Sequence, residues 1–242
     1  MKELDEFEDA LVERFREHPV LAAVDDLPER DFHAVLLQRR FLSHAFTSAY
    51  DLAIDLLTDE EAVEIARVII REEYPRDKGD ALTPSHREDM KNDLLALGVP
   101  WERFVASRPT EATERTNKDT WSLILDAGAA PNANLGLVTI LRFWGEVLVS
   151  AEYGRMWPRI QRRLVVGGEN RSLFYYPHYE HDAKTSPLAD ASVLSLTHSD
   201  QLGVRLAQLA DSEAAWETFK RVETEVLNLK TRFYDQFLPM VA

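Results

Sequence analysis

The sequence predicts an all-α protein that forms one domain. Apolar residues recur along the 242-residue chain at the three- and four-residue intervals of amphipathic helices, and no strong run of alternating β-branched residues indicates a strand. Proline and glycine separate these apolar segments, at the places where helices begin and end. The composition shifts nowhere abruptly, so we expect residues 1–242 to share one core.

Helix boundaries follow from the same signals. The third helix ends at a break before Pro75, and Thr83 with Pro84 fits an N-cap followed by proline at the first helical position. Pro177 fits the first position of a later helix, which Pro187 should end. The predicted helices span about residues 4–17, 28–57, 59–73, 84–97, 101–127, 135–155, 177–186, 188–209 and 212–237. Within the helix at 101–127, the residues expected to face inward are Trp121, Ile124 and Leu125.

The charge balance and the available residue types restrict the function. The chain has 28 Lys and Arg against 42 Asp and Glu, a formal charge of -14, which argues against a nucleic-acid or anionic-membrane surface. A small-molecule substrate is therefore expected, and the chain could also form a homodimer. The absence of cysteine excludes disulfides, thiolate nucleophiles and iron–sulfur ligation, which leaves histidines and carboxylates as the strong metal ligands.

The distribution of apolar residues predicts a cytoplasmic protein. The first nine residues are acidic and lack the apolar segment of a signal peptide. The most apolar stretch, residues 135–151, contains Arg142 and Glu146 and falls short of the roughly 20 apolar residues that a membrane span needs. We interpret it as a core helix.

His178 and Asp182 form the most informative pair, because residues four apart on a helix lie on the same face. An imidazole and a carboxylate placed in this way supply half of a metal site. The next residue on that face is Thr185, where a two-iron site would be expected to have a third ligand, a histidine. Thr185 is therefore expected to decide how many metal ions this helix can help to hold.

Three further ionisable residues lie where helices should be apolar. Glu73 continues the apolar stripe of the third helix, His86 should face the core from the next one, and Glu152 lies on the most apolar helix of the chain. Each has a structural explanation as well: Glu73 as a solvated helix end, His86 as a core histidine, and Glu152 as a partner of Arg155 or Arg159. The candidate catalytic and metal-ligating set, which suits a non-haem iron site, is Glu73, His86, Glu152, His178 and Asp182.

Several remaining polar residues are weaker candidates. Four histidines without a partner at ligand spacing are interpreted as surface or core residues: His18, His33, His44 and His198. Four tyrosines flank the candidate ligands as packing residues or hydrogen-bond donors: Tyr153, Tyr175, Tyr176 and Tyr179. The pairs 39–40 and 162–163 are arginines that could hold a substrate carboxylate, although solvated helix faces explain them equally well.

The order of these motifs resembles that of the haem-oxygenase-like diiron oxidases and oxygenases, which are iron-containing redox enzymes. The motifs are the Glu72–Glu73 pair that closes an apolar helix, a histidine that opens the next helix before Leu-Gly, Ser-Ala-Glu-Tyr-Gly at 150–154, and His178-x-Glu-x-Asp182. The resemblance covers about residues 60–186. It implies a seven-helix bundle that holds two irons and no haem, with the five candidate residues above at ligand positions.

The chain departs from the family's pattern in two places. Thr185 stands where the family has its final histidine, and the connection from Glu73 to His86 is longer than usual. Glu72, Asp77 or Asp80 could therefore supply the first carboxylate. With Thr185 in place of histidine, the second iron would be weakly held, or the protein would use one metal ion or none.

The resemblance also implies a reaction class. Known members use ferrous iron and O2 to attack C–H or N–H bonds of amino acids or fatty acids, which gives desaturation, C–C cleavage or N-oxygenation. The implied cofactor is Fe(II), as two ions of which the second is weakly held, and O2 is the implied co-substrate. The alternative is a metal-free or degenerate protein of the same fold that binds or transforms a small organic ligand, like thiaminase-type or quinone-cofactor-synthesis relatives.

Overall fold

The computed structural model describes residues 1–75, 82–190, 192 and 197–242, and it confirms the all-α class. The first half contains α1 (Lys2–Arg16), α2 (Pro19–Ala22), α3 (Glu29–Leu56), α4 (Glu60–Glu72), α5 (His86–Ala96), α6 (Trp101–Ala106) and α7 (Glu111–Ala129). The second half contains α8 (Ala133–Arg142), a π-helical segment (Phe143–Val147), α9 (Leu148–Leu164), α10 (Tyr175–His181), α11 (His198–Leu209), α12 (Glu213–Asp235) and a 3-10 turn (Leu238–Met240). A two-stranded antiparallel hairpin of β1 (Val165–Val166) and β2 (Glu169–Asn170) follows α9.

One continuous helical rod forms the centre of the molecule. It consists of α8, the π-helical segment and α9, and it runs from Ala133 to Leu164. By length and composition this rod could cross a membrane, with a mean hydropathy of 1.2 over its most apolar window, but 89% of that window is buried inside the protein. The helices α7, α11 and α12 pack around α8, while α1 and α10 pack against α9. This burial is that of a core helix, as the sequence predicted.

Local side chains explain where several helices begin. Asp59 accepts a hydrogen bond from the Ala62 backbone N–H and caps α4. Ser85 and Glu88 form a reciprocal capping box at the start of α5, so this helix begins at His86 rather than after the predicted cap Thr83. The predicted loop before it, at residues 76–82, lies largely outside the described residues.

The predicted helix at 101–127 is two helices. It breaks between Ser107 and Thr110, where Pro109 cannot donate a backbone hydrogen bond, and Thr110 caps the second helix. On α7, Ile124 is buried as expected, but Trp121 and Leu125 are 44% and 50% exposed. The buried face of α7 instead contains Thr116 and Thr120, whose hydroxyls donate to backbone carbonyls of the preceding turn. A search for apolar residues at helical spacing does not detect such buried threonines.

The helix around His178 differs most from the prediction. It begins at Tyr175, so Pro177 occupies its third position, and it ends at His181 with Asp182 as the C-cap residue. Its start is capped from α5: the buried Asp93 carboxylate accepts the backbone N–H groups of Phe174 and Tyr175, at 2.9 and 3.2 Å. Because Asp93 lies 81 and 82 residues away from these two positions, local sequence signals could not reveal the cap.

Candidate metal centre

A partly open cavity lies between the central rod and helices α3, α4, α5, α10, α11 and α12. Clefts between packed helices are common places for small organic ligands to bind. The carboxylates and imidazoles in its wall are Glu72, Glu73, His86, Glu146, His178, His181, Asp182 and His198. Among the residues that the structure describes, these side chains fall into three groups that could each hold a metal ion.

The first group consists of Glu73, His86 and His178, whose ligand atoms lie within 4.8 Å of one another. Glu73 Oε1 is 2.8 Å from His86 Nδ1 and 3.9 Å from His178 Nε2. His178 Nδ1 lies 2.7 Å from the carbonyl oxygen of Phe174 one turn earlier. Donation of the Nδ1 proton to that carbonyl leaves Nε2 directed at Glu73, which is how proteins commonly orient a metal-binding imidazole.

The second group consists of Glu146, Asp182 and His198. His198 Nδ1 is 3.3 Å from Glu146 Oε2 and 3.7 Å from Asp182 Oδ1. The Tyr50 hydroxyl donates to the other oxygen of Glu146 and fixes this carboxylate. Both carboxylates are buried, and buried carboxylates need a compensating cation.

Glu146 comes from the π-helical segment of the central rod. A single π turn inserts one residue and rotates the helix that follows, which is why such segments often occur at functional sites. Gly145 lets α3 approach here: a Cβ at this position would lie 3.1 Å from the Tyr50 ring and 3.2 Å from the Phe46 ring. The close approach brings the Tyr50 hydroxyl to Glu146.

The third group, at the outer side, consists of Glu72, His181 and again His198. Here the other nitrogen of His198, Nε2, lies 3.4 Å from Glu72 Oε2. The two nitrogens of His198 therefore face two different groups. His181 is exposed, whereas both carboxylates of the second group are buried, so we regard the first two groups as the candidate centre.

The ionisation of these groups reflects crowding of charge. Burial raises the pKa of Asp182 to about 7, and the neighbouring Glu146 carboxylate adds to this rise. Burial lowers the pKa of His198, but the nearby carboxylates of Asp182, Glu146 and Glu72 outweigh burial and raise the pKa to about 12. The protonated imidazole thus supplies the positive charge that the buried carboxylates require in the absence of another cation.

In the first group, too, neighbouring opposite charges outweigh the effect of burial on the pKa values. Burial raises the pKa of Glu73, but the imidazoles of His178 and His86 beside it outweigh burial and lower the pKa to about 2. Burial lowers the pKa of His178, yet the nearby carboxylates of Glu73 and Asp182 raise it to about 9. A metal cation could replace these protons, because metal ligands bind in their deprotonated forms.

A buried ion pair positions the second group. Arg142 is fully buried and binds both carboxylate oxygens of Glu8, while its Nε donates to the carbonyl of Ser199 at 2.9 Å. The Ser199 hydroxyl in turn donates to the carbonyl of Asp182. These contacts hold the start of α11, and with it His198, against the end of α10.

Four of the five residues predicted as ligands line the cavity. Glu73, His86 and His178 form the first group, and Asp182 joins the second. Of the three residues that could replace Glu73 as the first carboxylate, Glu72 belongs to the outer group. Asp77 and Asp80 lie outside the described residues.

Glu152 is not part of any of the three groups, and this prediction is corrected. Its carboxylate pairs with Arg39, accepts a hydrogen bond from the Tyr234 hydroxyl at 2.8 Å, and lies 3.4 Å from Lys230 Nζ. Neither Arg155 nor Arg159 is its partner. Glu146 lies six residues earlier, or about one and two-thirds helical turns, and therefore points to a different side of the rod.

Thr185 was expected to continue the face of His178 and Asp182, but it does not face the candidate centre. The helix ends at His181, so the four-residue spacing stops applying, and Thr185 donates its backbone N–H and its hydroxyl to Asp200, at 3.1 and 2.5 Å. His198 occupies the place that a third ligand would need. No spacing signal pointed to it, because the chain between His181 and His198 has no helix among its described residues.

Of the other histidines interpreted as structural, His18 and His33 are buried and bond to Asp235 and the Leu97 carbonyl. His44 is half-buried beside the Phe41 ring. Among the flanking tyrosines, Tyr153 lines the cavity.

Replacing Glu152 with glutamine should leave metal binding intact while lowering stability. The amide keeps the shape but cannot balance the charges of Arg39 and Lys230, so the free energy of unfolding should fall by about 2 kcal/mol. Denaturant unfolding and iron analysis of the same samples measure both effects. The matched control is Glu146→Gln on the same rod, which should lose metal. Loss of iron from Glu152→Gln, with Glu146→Gln unaffected, would reverse the assignment.

Comparisons with known proteins agree with this architecture. No protein-family model matches the sequence, and a search of curated proteins finds no significant match. Among solved structures, a domain of unknown function with a haem oxygenase-like fold from Shewanella denitrificans matches with a TM-score of 0.66 and 16% identity, covering 98% of this chain and 91% of that one.

Two further structures are similar over nearly the whole chain. A CADD-like protein of unknown function from Nostoc punctiforme has a TM-score of 0.66 and 13% identity, with complete coverage of both chains (100% each). A TenA family transcription regulator from a Silicibacter species has a TM-score of 0.59 and 14% identity, covering 98% of this chain and 95% of that one. At these identities the likeness shows the fold, and the chain has the all-α haem-oxygenase-like fold that its motifs suggested.

Proposed function

We propose that the protein is a non-haem iron oxidase or oxygenase that uses O2 and binds two ferrous ions. One ion would be held by Glu73, His86 and His178, and the other by Glu146, Asp182 and His198. The observation that carries this proposal is the pair of groups on one cavity wall, each with carboxylate and imidazole donors in reach of one ion. Such mixed oxygen and nitrogen donors suit iron.

The chain's own residues would prepare this site. Tyr50 and the Phe174 carbonyl orient Glu146 and His178, as described above. Apolar side chains complete the cavity wall and exclude water from the reacting substrate: Leu42, Phe46, Ile69, Trp144 and Val149. Bound iron would supply the activation of O2. The reaction would be desaturation, C–C cleavage or N-oxygenation of a small amino-acid-derived or fatty-acid substrate.

A second candidate is a metal-free protein that binds or transforms a small organic ligand. The similarity to a TenA family structure supports it, because it extends over 98% of this chain. This candidate leaves the crowding of Glu73, Glu146 and Asp182 around one cavity without a function. Burying carboxylates lowers the stability of a fold unless they are paired or bind a metal ion.

Anaerobic loading with ferrous iron separates the two candidates. We expect about two irons per chain after removal of excess metal, and a visible absorption band when the loaded protein is exposed to O2. Less than one iron per chain, with no absorption after exposure, would contradict the proposed function. Reconstitution with Zn²⁺ is the control, because this ion binds similar ligands but has no redox chemistry and should give no band.

A further inference from the structure

A second cluster of charge lies in the wall of the same cavity. Arg39 and Lys230 both line it, and each pairs with the buried carboxylate of Glu152. Within the part of the chain that the structure describes, Glu152 is the carboxylate within ion-pair distance of either cation. Two cations against one carboxylate leave one positive charge in excess, in a chain whose formal charge is -14.

Lys230 carries this excess. Arg39 makes the shorter contact with Glu152, and Tyr234 occupies the other carboxylate oxygen. Lys230 Nζ is 3.4 Å away, although the residue is only 1% exposed. Burial lowers the pKa of Lys230 to about 8, although the negative charge of Glu152 acts to raise it. A buried ammonium with so little compensation favours an additional anion beside it.

Trp144 offers a further unused donor at this place. Lys230 Nζ lies 5.7 Å from the centre of the Trp144 ring, and both residues line the cavity. The indole N–H of Trp144 is buried and has no hydrogen-bond partner among the described residues. Because a tryptophan N–H can only donate, the group that satisfies it must be an acceptor.

We infer that Lys230, Arg39 and Trp144 form a subsite for the carboxylate of an amphipathic acid. A carboxylate accepts hydrogen bonds only, and its single charge matches the single excess cation. The apolar part of the acid would extend along Leu42, Phe46 and Ile69. The inference rests on the proposed function in naming its substrate class, and it assigns the acidic group to protein cations rather than to metal.

Binding to the metal-free protein tests this subsite, because coordination by iron then contributes nothing. Calorimetric titration at pH 7 with chelator present compares octanoate with octanamide, and hexanoate with hexanamide. We expect each acid to bind about tenfold or more tightly than its amide. In Lys230→Met the acids should weaken about tenfold, while the amides change little.

The matched control is Lys220→Met on the same helix, because Lys220 pairs with Glu3 at the surface and does not line the cavity. It should bind as the natural chain does. Lys230→Arg keeps the charge and should keep the preference for acids. Equal binding of acids and amides by the natural chain, no binding of either acid, or an unchanged preference in folded Lys230→Met would overturn the inference. Iron binding is measured separately, so failure of the subsite and failure of the proposed function are distinguishable.

Discussion

Replacing His198 with alanine is expected to reduce the ferrous iron held by the protein from about two ions per chain to about one. In the second group, His198 is the imidazole that lies beside the carboxylates of Glu146 and Asp182. The first group keeps all its donors. Iron analysis after anaerobic loading and desalting measures the change, and the O2-dependent absorption should weaken with it.

The control for this variant is His44→Ala, which removes a half-buried histidine that does not line the cavity. It should retain both ions. Retention of two ions by His198→Ala would show that this histidine is not a ligand. Circular dichroism at the same concentration checks that the helices persist, since a loss of iron through unfolding would give a different spectrum.

Replacing Arg142 with methionine is expected to cause the largest loss of stability, about 3 kcal/mol, or roughly 10 °C in melting temperature. Methionine fills much of the space but leaves Glu8 buried without its bidentate partner; Lys184, 2.9 Å from Glu8, is the cation that remains. Burial raises the pKa of Glu8, but the Arg142 charge and hydrogen bond dominate and lower it to about 2.

The pH dependence of this loss has a definite sign. A carboxylate whose pKa is lower in the folded state stabilises the protein above its unfolded value of about 4.5. That contribution disappears as the pH falls from about 4.5 towards 2, so natural and variant proteins should converge in stability in acid. Unfolding by urea at several pH values measures this convergence. A difference that grew on acidification would contradict the ion-pair account.

The surface pair Arg221 and Glu225 provides the control for Arg142→Met. These side chains are four residues apart on α12 and about half exposed, so Arg221→Met should cost under about 1 kcal/mol. Because Arg142 also holds the Ser199 carbonyl, its variant should weaken iron binding at the second group, whereas Arg221→Met should not. Equal stability losses in the two variants would show that the buried network adds nothing.

Sequence patterns could reveal those site residues that follow from regular helix geometry. His178 and Asp182 were identified because they lie four residues apart. Glu73 and His86 were identified because they are ionisable residues at helix positions whose neighbours are apolar. The pattern was misleading for Glu152, whose buried position is satisfied by Arg39 and Lys230 from distant segments. In a sequence, a residue of a buried ion pair and a metal ligand look alike, because each is a charged residue on an otherwise apolar helix face.

The remaining features of the site could not be predicted from the spacing of residues along regular helices. The π turn changes the direction of side chains along the central rod and places Glu146 beside Tyr50. The cap of α10 comes from Asp93 on another helix. His198 reaches the site because a buried arginine fixes the start of α11. Each of these is a tertiary interaction between residues far apart in the chain.

Anomalous diffraction from crystals loaded anaerobically with ferrous iron tests the central claim most directly. We predict two anomalous peaks, one among Glu73, His86 and His178 and one among Glu146, Asp182 and His198. Data collected on both sides of the iron absorption edge identify the element. The absence of iron from both groups in loaded crystals, or iron bound at Glu152 instead, would contradict the account.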